Sequence, residues 1–356
     1  MMAEIKGINR FFLLATAPLF GLLIALILSG PKISWTTEPE LITADAQQMD
    51  QAFGSISSGL EQADETAKYT ISTIRETAEL YHKTTNTMTT IVQTAQNTAA
   101  KPEIIYNKRI TAKLGSPKET IKSERIILEL YKVNPGNYKG YAVKVKLKSP
   151  EAMKMTLGGD KLGGSETTKQ AVSRYGAVAG INAGGFADSK GKRYPLSTTM
   201  LNGKYLNGFE PSYKDLFFVG MDKNGKLIGG KFKDKAQLDR LEPSFGASFV
   251  PILLKDGQKT AIPLKWQTSP LRAPRTVIGN YKDDQLIILV IDGYNENGNS
   301  GATLQELQDK LYNMGVVNAY NLDGGGSSSL VWNGKVINNP SDGQLRPVPT
   351  HFLFFK

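Results

Sequence analysis

The sequence predicts a mixed β-sheet domain with a βαβ unit, preceded by a transmembrane helix and a long helical stalk. Three observations predict this. Residues 11–30 (FFLLATAPLFGLLIALILSG) carry no charge. Apolar residues recur three and four apart from Met49 to Ala95. Between residues 286 and 323, an apolar run ending at Asp292, a helical pattern and a second apolar run ending at Asp323 follow one another.

The composition sets limits on function. The 356 residues hold 43 Lys and Arg against 33 Asp and Glu, a formal charge of +10, and no cysteine. The basic excess favours anionic surroundings, and no nucleic-acid fingerprint accompanies it. Without cysteine there is no disulfide, thiol nucleophile or cysteine metal site. Two histidines, His82 and His351, cannot build an HExxH metalloprotease. Any catalysis therefore falls to carboxylates, and no cofactor is implied.

About 20 uninterrupted apolar residues span a bilayer as a helix, so residues 11–30 read as an anchor. Lys6 and Arg10 precede the run, which places residues 1–10 in the cytoplasm and the rest of the chain outside the cell. A cleaved signal peptide is the alternative, but the run is longer than a signal core and no clear A-x-A site follows.

Residues 31–102 read as the stalk. Met49, Phe53, Ile56, Leu60, Ala63 and Ala67 keep heptad spacing, and after a four-residue step Ile71, Ile74, Ala78, Tyr81, Met88, Val92 and Ala95 resume it. The seam holds many Ala and Thr, so the helix is expected to self-associate weakly or to fold back as a hairpin. His82 reads as a solvated helix residue. Pro102 is expected to end the helix.

Residues 103–356 read as the catalytic domain. Asn202-Gly203, Asn224-Gly225, Asp256-Gly257 and Asn333-Gly334 are hairpin turn signals between apolar runs. One helix is expected near residues 166–174, with Ser165 as its N-cap. A second is expected over residues 303–314, where Leu304, Leu307, Leu311 and Met314 share a face and Gly315 caps the end. With the run LIILVI before this helix and VVNAYNL after it, the pattern is strand, helix, parallel strand. Asp292 and Asp323 then stand at one sheet edge, roughly 5 or 10 Å apart for adjacent or next-but-one strands. They are expected to share a pocket with the loop GGGSSS. Gly324, Gly325 and Gly326 offer backbone N–H groups to an anion, and Ser327, Ser328 and Ser329 can add hydroxyl donors.

Six segments, in order, carry a resemblance: AGINAGGF (179–186), RTVIG (275–279), Asp292-Gly293, SGATLQEL (300–307), NLDGGGSSSL (321–330) and PSDGQLRPV (340–348). Together they resemble the phosphodiester glycosidase family. This implies an α+β catalytic domain that cleaves a sugar-1-phosphodiester, such as a GlcNAc-1-phosphodiester in a cell-surface or teichoic-acid-type polymer, at the glycosidic bond. The second Phe of the family's GGFF is Ala187 here, which bears on substrate preference.

For such a bond the phosphate leaves readily. The site then needs phosphate neutralisation and a carboxylate beside the oxocarbenium-like state. Asp323 is the candidate nucleophile or general base, and Asp292 the second carboxylate. Glu306 is a third candidate, although Thr303 and Glu306 also form a capping box. Arg275 and Arg346 are candidates for the phosphate. Asn182 fits a sugar hydroxyl or a loop brace, and Asp342 sits in a turn motif. Tyr294 and Trp332 offer faces for stacking, and His351 reads as packed. Asn295, Asn297, Asn299 and Glu306 follow calcium-loop spacing, but Asp is missing at the first position and Gly at the sixth, so no metal site is assigned. The rival functions are a phosphodiesterase attacking phosphorus and a non-catalytic binder of anionic wall polymer.

Overall fold

The computed structural model describes Leu19, Gly21, Leu22, Ile24 and residues 46–293 and 300–356. It divides into two units, Met1–Val92 and Gln93–Lys356. Helix α1 (Ala46–Leu114) is followed by strands β1 (Glu119–Lys122), β2 (Ile126–Val133), β3 (Gly140–Leu147) and β4 (Met153–Leu157). Helix α2 (Thr168–Tyr175) precedes β5 (Ala179–Asn182), β6 (Phe186–Ser189), β7 (Lys192–Pro195), β8 (Met200–Leu201) and β9 (Lys204–Tyr205). Then come β10 (Phe217–Asp222), β11 (Leu227–Gly230), α3 (Lys235–Asp239), β12 (Pro243–Phe249), β13 (Ile252–Lys255) and β14 (Gln258–Lys259). Helix α4 (Leu264–Thr268) leads to β15 (Arg275–Asn280), β16 (Leu286–Ile291), α5 (Leu304–Asn313) and β17 (Asn318–Leu322). Last are β18 (Leu330–Trp332), β19 (Lys335–Val336) and β20 (Thr350–Phe354).

The expected membrane-spanning helix is corrected. Among the described residues no helix is long and apolar enough to cross a membrane. Of residues 11–30, only four are described. Helix α1 spaces its apolar residues between polar ones, which makes a stripe and not an apolar cylinder. The single-pass placement, with a cytoplasmic N-terminus and an outward-facing domain, falls with the anchor.

Helix α1 is one helix of 69 residues. Its Thr side chains stay compatible with helix by donating to the carbonyl four residues back, as at Thr66, Thr73 and Thr85. The heptad positions Phe53, Ile56, Leu60, Ile74 and Met88 are all exposed. The helix does not stop at Pro102 but runs on to Leu114. Its last turns are held by burial: Ile110 is 3% exposed within a core cluster, and Tyr106 and Leu114 pack against that cluster. Lys144 adds an ion pair to Glu129 at 2.7 Å and a hydrogen bond to Asn107 at 2.6 Å. Such packing outweighs the roughly 3 kcal/mol that an interior proline costs.

The mixed sheet is also corrected, whereas the strand, helix, parallel strand unit takes its next-but-one form. Among the described residues every strand pairing is antiparallel, so the domain is mainly antiparallel β. The largest sheet has the order β1-β2-β3-β16-β15-β17-β13-β14. Strands β16 and β17 run parallel, but β15 lies between them and pairs antiparallel with both. The cause is a tight β15–β16 hairpin, closed by Tyr281 N–H to the Gln285 carbonyl at 2.8 Å with Asp284 at φ 63°. The turn is KDDQ, without the Asn-Gly or Asp-Gly signal. After the hairpin, α5 carries the chain over β15 to its free edge.

The LIILVI run of β16 is buried on both faces. Leu286, Ile288 and Val290 face one core, which they share with Phe217, Phe245 and Phe352 of the other sheets. Ile287, Leu289 and Ile291 face the second core, with Leu304, Leu307 and Leu311 of α5. Helix α5 has Thr303 as N-cap in a complete capping box, and Gly315 follows its end at φ 78°. Helix α2 is capped by Thr167, not Ser165, because the Thr167 hydroxyl accepts the Gln170 N–H. Asn202-Gly203, Asp256-Gly257 and Asn333-Gly334 have positive φ at both residues, as two-residue hairpins require.

Candidate active site

The register of the large sheet places the two aspartates. Ile291 pairs with Arg275, and Leu322 pairs with Thr276. Asp292 and Asp323 are the next residues along β16 and β17, so they flank the start of β15 from opposite sides. Two strand spacings put their main chains roughly 10 Å apart.

Asp292 is partly buried, and its Oδ1 accepts the Asn339 N–H at 2.7 Å. Burial raises its pKa above the ordinary carboxylate range, and the Asn339 bond opposes that shift in part. A cavity of about 310 Å³ opens beside it, lined by Lys139, Gly293, Ser300 and Asn339 among others. Asp323 and the three glycines are not among its lining residues.

Asp323 is held through its backbone. Its N–H donates to the Ala183 carbonyl at 3.1 Å, and its carbonyl accepts Asn182 Nδ2 at 2.6 Å. Asn182 is fully buried. Its Oδ1 accepts the Ser329 N–H at 3.0 Å and Thr276 Oγ1 at 2.9 Å. Asn182 therefore braces both ends of the glycine-serine loop. Asn338, two strands beyond the loop in sequence, repeats the arrangement: it donates to the Ser328 carbonyl at 3.0 Å and accepts the Leu330 N–H at 2.7 Å.

Much of the loop's own N–H capacity is spent internally. Gly325 N–H donates to the Pro274 carbonyl at 2.9 Å, Ser327 N–H to the Gly324 carbonyl and Ser328 N–H to the Gly325 carbonyl. Gly324 lies against the Pro274 carbonyl and Gly326 against the Arg346 guanidinium and Asp342 carboxylate, where an added Cβ would overlap them. Arg346 bonds Asp342 through Nε at 2.9 Å and Nη2 at 2.8 Å. The charged group standing on the loop is thus the Arg346–Asp342 pair. Ser327 is 1% exposed and its Oγ has no hydrogen-bond partner.

Of the remaining candidates, Arg275 opens β15 between the two aspartates and lies beside Gly324. Arg275 is 6% exposed and donates to the Pro270 and Ala302 carbonyls. Burial lowers its pKa to about 10. Glu306 completes the capping box, accepting the Thr303 N–H at 2.8 Å while Thr303 Oγ1 accepts the Glu306 N–H at 3.0 Å. Its carboxylate also pairs with both terminal nitrogens of Arg272 and bonds Asn137. Trp332 is in the core, with Nε1 donating to Glu119. Tyr294, Asn295, Asn297 and Asn299 lie outside the described residues. Among the described residues no group of three or more acidic or histidine side chains could hold a metal ion.

Sequence reasoning passed over Asn338, Asn339, Thr168 and Arg272. Asn338-Asn339 directly precedes the PSDGQLRPV segment and was within reach. Thr168 and Arg272 carried no sequence signal, because their roles depend on distant partners.

A family model described as phosphodiester glycosidase matches residues 175–355. The SPbeta prophage-derived uncharacterized protein YomE of Bacillus subtilis is 31% identical over 186 residues, 51% of this chain and 28% of that protein. Human N-acetylglucosamine-1-phosphodiester alpha-N-acetylglucosaminidase is 32% identical over 137 residues, 35% of this chain and 26% of that enzyme. The chain thus spans about a quarter of the length of these curated relatives. The zebrafish catalytic domain of the same enzyme, auto-inhibited by its pro-peptide, aligns with a TM-score of 0.53 at 21% identity, over 68% of this chain and 86% of that one. That likeness speaks to fold alone. The match to the family model takes in half of the 356 residues, and with it the chain belongs to the phosphodiester glycosidase family.

Proposed function

We propose that the chain hydrolyses the glycosidic bond of a sugar-1-phosphodiester, of the N-acetylglucosamine-1-phosphodiester type named in its relatives. Water adds to the anomeric carbon, the C1–O bond breaks, and a phosphate monoester leaves. The observation that carries the reading is the placement of Asp292 and Asp323 on either side of the start of β15, with Arg346 standing on the loop that follows Asp323. Asp323, fixed at both its N–H and its carbonyl, takes the role of general base or nucleophile. Asp292, whose proton is retained longer through burial, serves as the second carboxyl group. Arg346 neutralises charge on the departing phosphate.

The test is incubation of the full chain with a GlcNAc-1-phosphodiester, with products read by mass. Free sugar is expected, and its release should fall by roughly 10²- to 10⁴-fold in Asp323→Asn. Sugar-1-phosphate as the product would instead mean attack at phosphorus. Binding without turnover would mean a non-catalytic module. The exposed heptad stripe of α1 supports pairing with the same helix of a second copy. A purely monomeric chain by sedimentation at high concentration would remove that proposal.

A further inference from the structure

Behind the glycine-serine loop runs a buried hydrogen-bonded chain that the proposed chemistry does not use. Ser329 Oγ donates to the Ser327 carbonyl at 3.2 Å. Ser329 Oγ and Thr168 Oγ1 are 2.6 Å apart, and Thr168 Oγ1 is 3.2 Å from His351 Nδ1. Thr168 and His351 are fully buried and Ser329 nearly so. The three residues come from α2, β20 and the loop itself.

The direction of donation follows from counting protons. Each hydroxyl has one proton to give. Ser329 gives its proton to the Ser327 carbonyl, so it accepts from Thr168. Thr168 has then spent its proton and accepts from His351, which requires a proton on Nδ1. The other ring nitrogen agrees: His351 Nε2 is buried with no hydrogen-bond partner. A buried lone pair without a partner is tolerated far better than a buried N–H without an acceptor.

We infer that His351, held as the neutral Nδ1–H tautomer, is a positioning residue that acts through Thr168 and Ser329 to set the conformation of the loop following Asp323. The inference rests on the hydrolase reading only for its kinetic consequence. The ring's surroundings keep it neutral. Burial is the dominant effect and lowers its pKa to about 4. Arg174 opposes protonation as well, whereas Glu166 and the Val348 carbonyl favour it. The strands on either side of β20 present Thr156 and Asn182 opposite His351, and both are uncharged. A proton added to Nε2 would put a charge in a fully buried site and disturb the chain that ends on the Ser327 carbonyl.

Because His82 is the only other histidine, a His82→Gln protein has a single imidazole to observe. Two-bond ¹⁵N–¹H spectra of the histidine-labelled full chain are expected to show a protonated Nδ1 and a bare Nε2 down to about pH 5. Thr168→Val should release that tautomer and lower kcat roughly tenfold to a hundredfold with KM unchanged. Thr168→Ser should restore both, and Ser329→Ala breaks the chain from the other end should Thr168→Val fail to fold. An Nε2–H tautomer, a titration midpoint in the ordinary range near 6.5, or a Thr168→Val protein with wild-type kcat would each overturn the inference. Absence of turnover in the unmutated chain would overturn the hydrolase reading and the kinetic half of the inference with it, while the spectra still decide the hydrogen-bonded chain.

Discussion

Asn182 donates to the main-chain carbonyl of Asp323 across 2.6 Å, joining β5 of one sheet to the end of β17 in another. Its carboxamide oxygen is fully occupied by Ser329 and Thr276. Replacing Asn182 by Ala therefore strands three polar groups in the interior. Each orphan costs about 1–3 kcal/mol, partly offset where water enters. Asn182→Ala should lower stability by about 3 kcal/mol in urea denaturation and should also lower kcat. A variant with wild-type stability would show that the brace is not needed.

Asp292→Asn should separate stability from activity. Burial raises the pKa of Asp292, so the folded chain holds its proton to higher pH than the unfolded chain does. Stability from this group is therefore greatest at acid pH and declines as pH rises past the ordinary carboxylate range. Asn carries no charge to desolvate and can still accept the Asn339 N–H. The variant should melt at a higher temperature than the parent at pH 7, with turnover reduced roughly 10²-fold. A lower melting temperature at pH 7 would contradict the burial argument.

Gly326→Ala tests the seat of Arg346. The new methyl group would meet the ends of two flexible side chains and not backbone, so the fold should absorb it. The Arg346–Asp342 pair must move away from the loop. KM for a phosphodiester is expected to rise several-fold, with less than about 1 kcal/mol lost in stability. An unchanged KM would free Arg346 from the phosphate.

Acid should weaken the domain through His351. Unfolded, this imidazole titrates near 6.5; folded, it titrates near 4. The unfolded chain takes up the proton first, so stability is full above about pH 6.5 and is lost as the pH falls towards 4. This group alone accounts for roughly 3 kcal/mol over that interval. Urea midpoints at pH 7 and pH 4.5 should differ less in His351→Asn than in the parent. Equal differences would place the acid sensitivity elsewhere.

What the sequence determined by itself was local. The Thr303–Glu306 capping box, the three two-residue turns with positive φ and the six-residue apolar run of β16 depend on neighbours a few positions away. Their physics is complete within the segment. The strand order was different. Nothing within residues 286–323 shows that β15 would occupy the space between β16 and β17, because that choice is made by a hairpin signalled only weakly and by burial on two faces. The end of α1 likewise followed tertiary packing around Ile110 and not the local effect of Pro102. At the candidate site, residue types pointed to Asp292, Asp323 and the loop. Only the fold decided that several loop N–H groups are consumed internally, that Asn182 is a brace, and that His351 stands buried behind the loop at the end of a chain through Thr168 and Ser329. Hydrogen-bond partners separated by more than a hundred residues are set by how sheets pack, and spacing along the chain does not encode them.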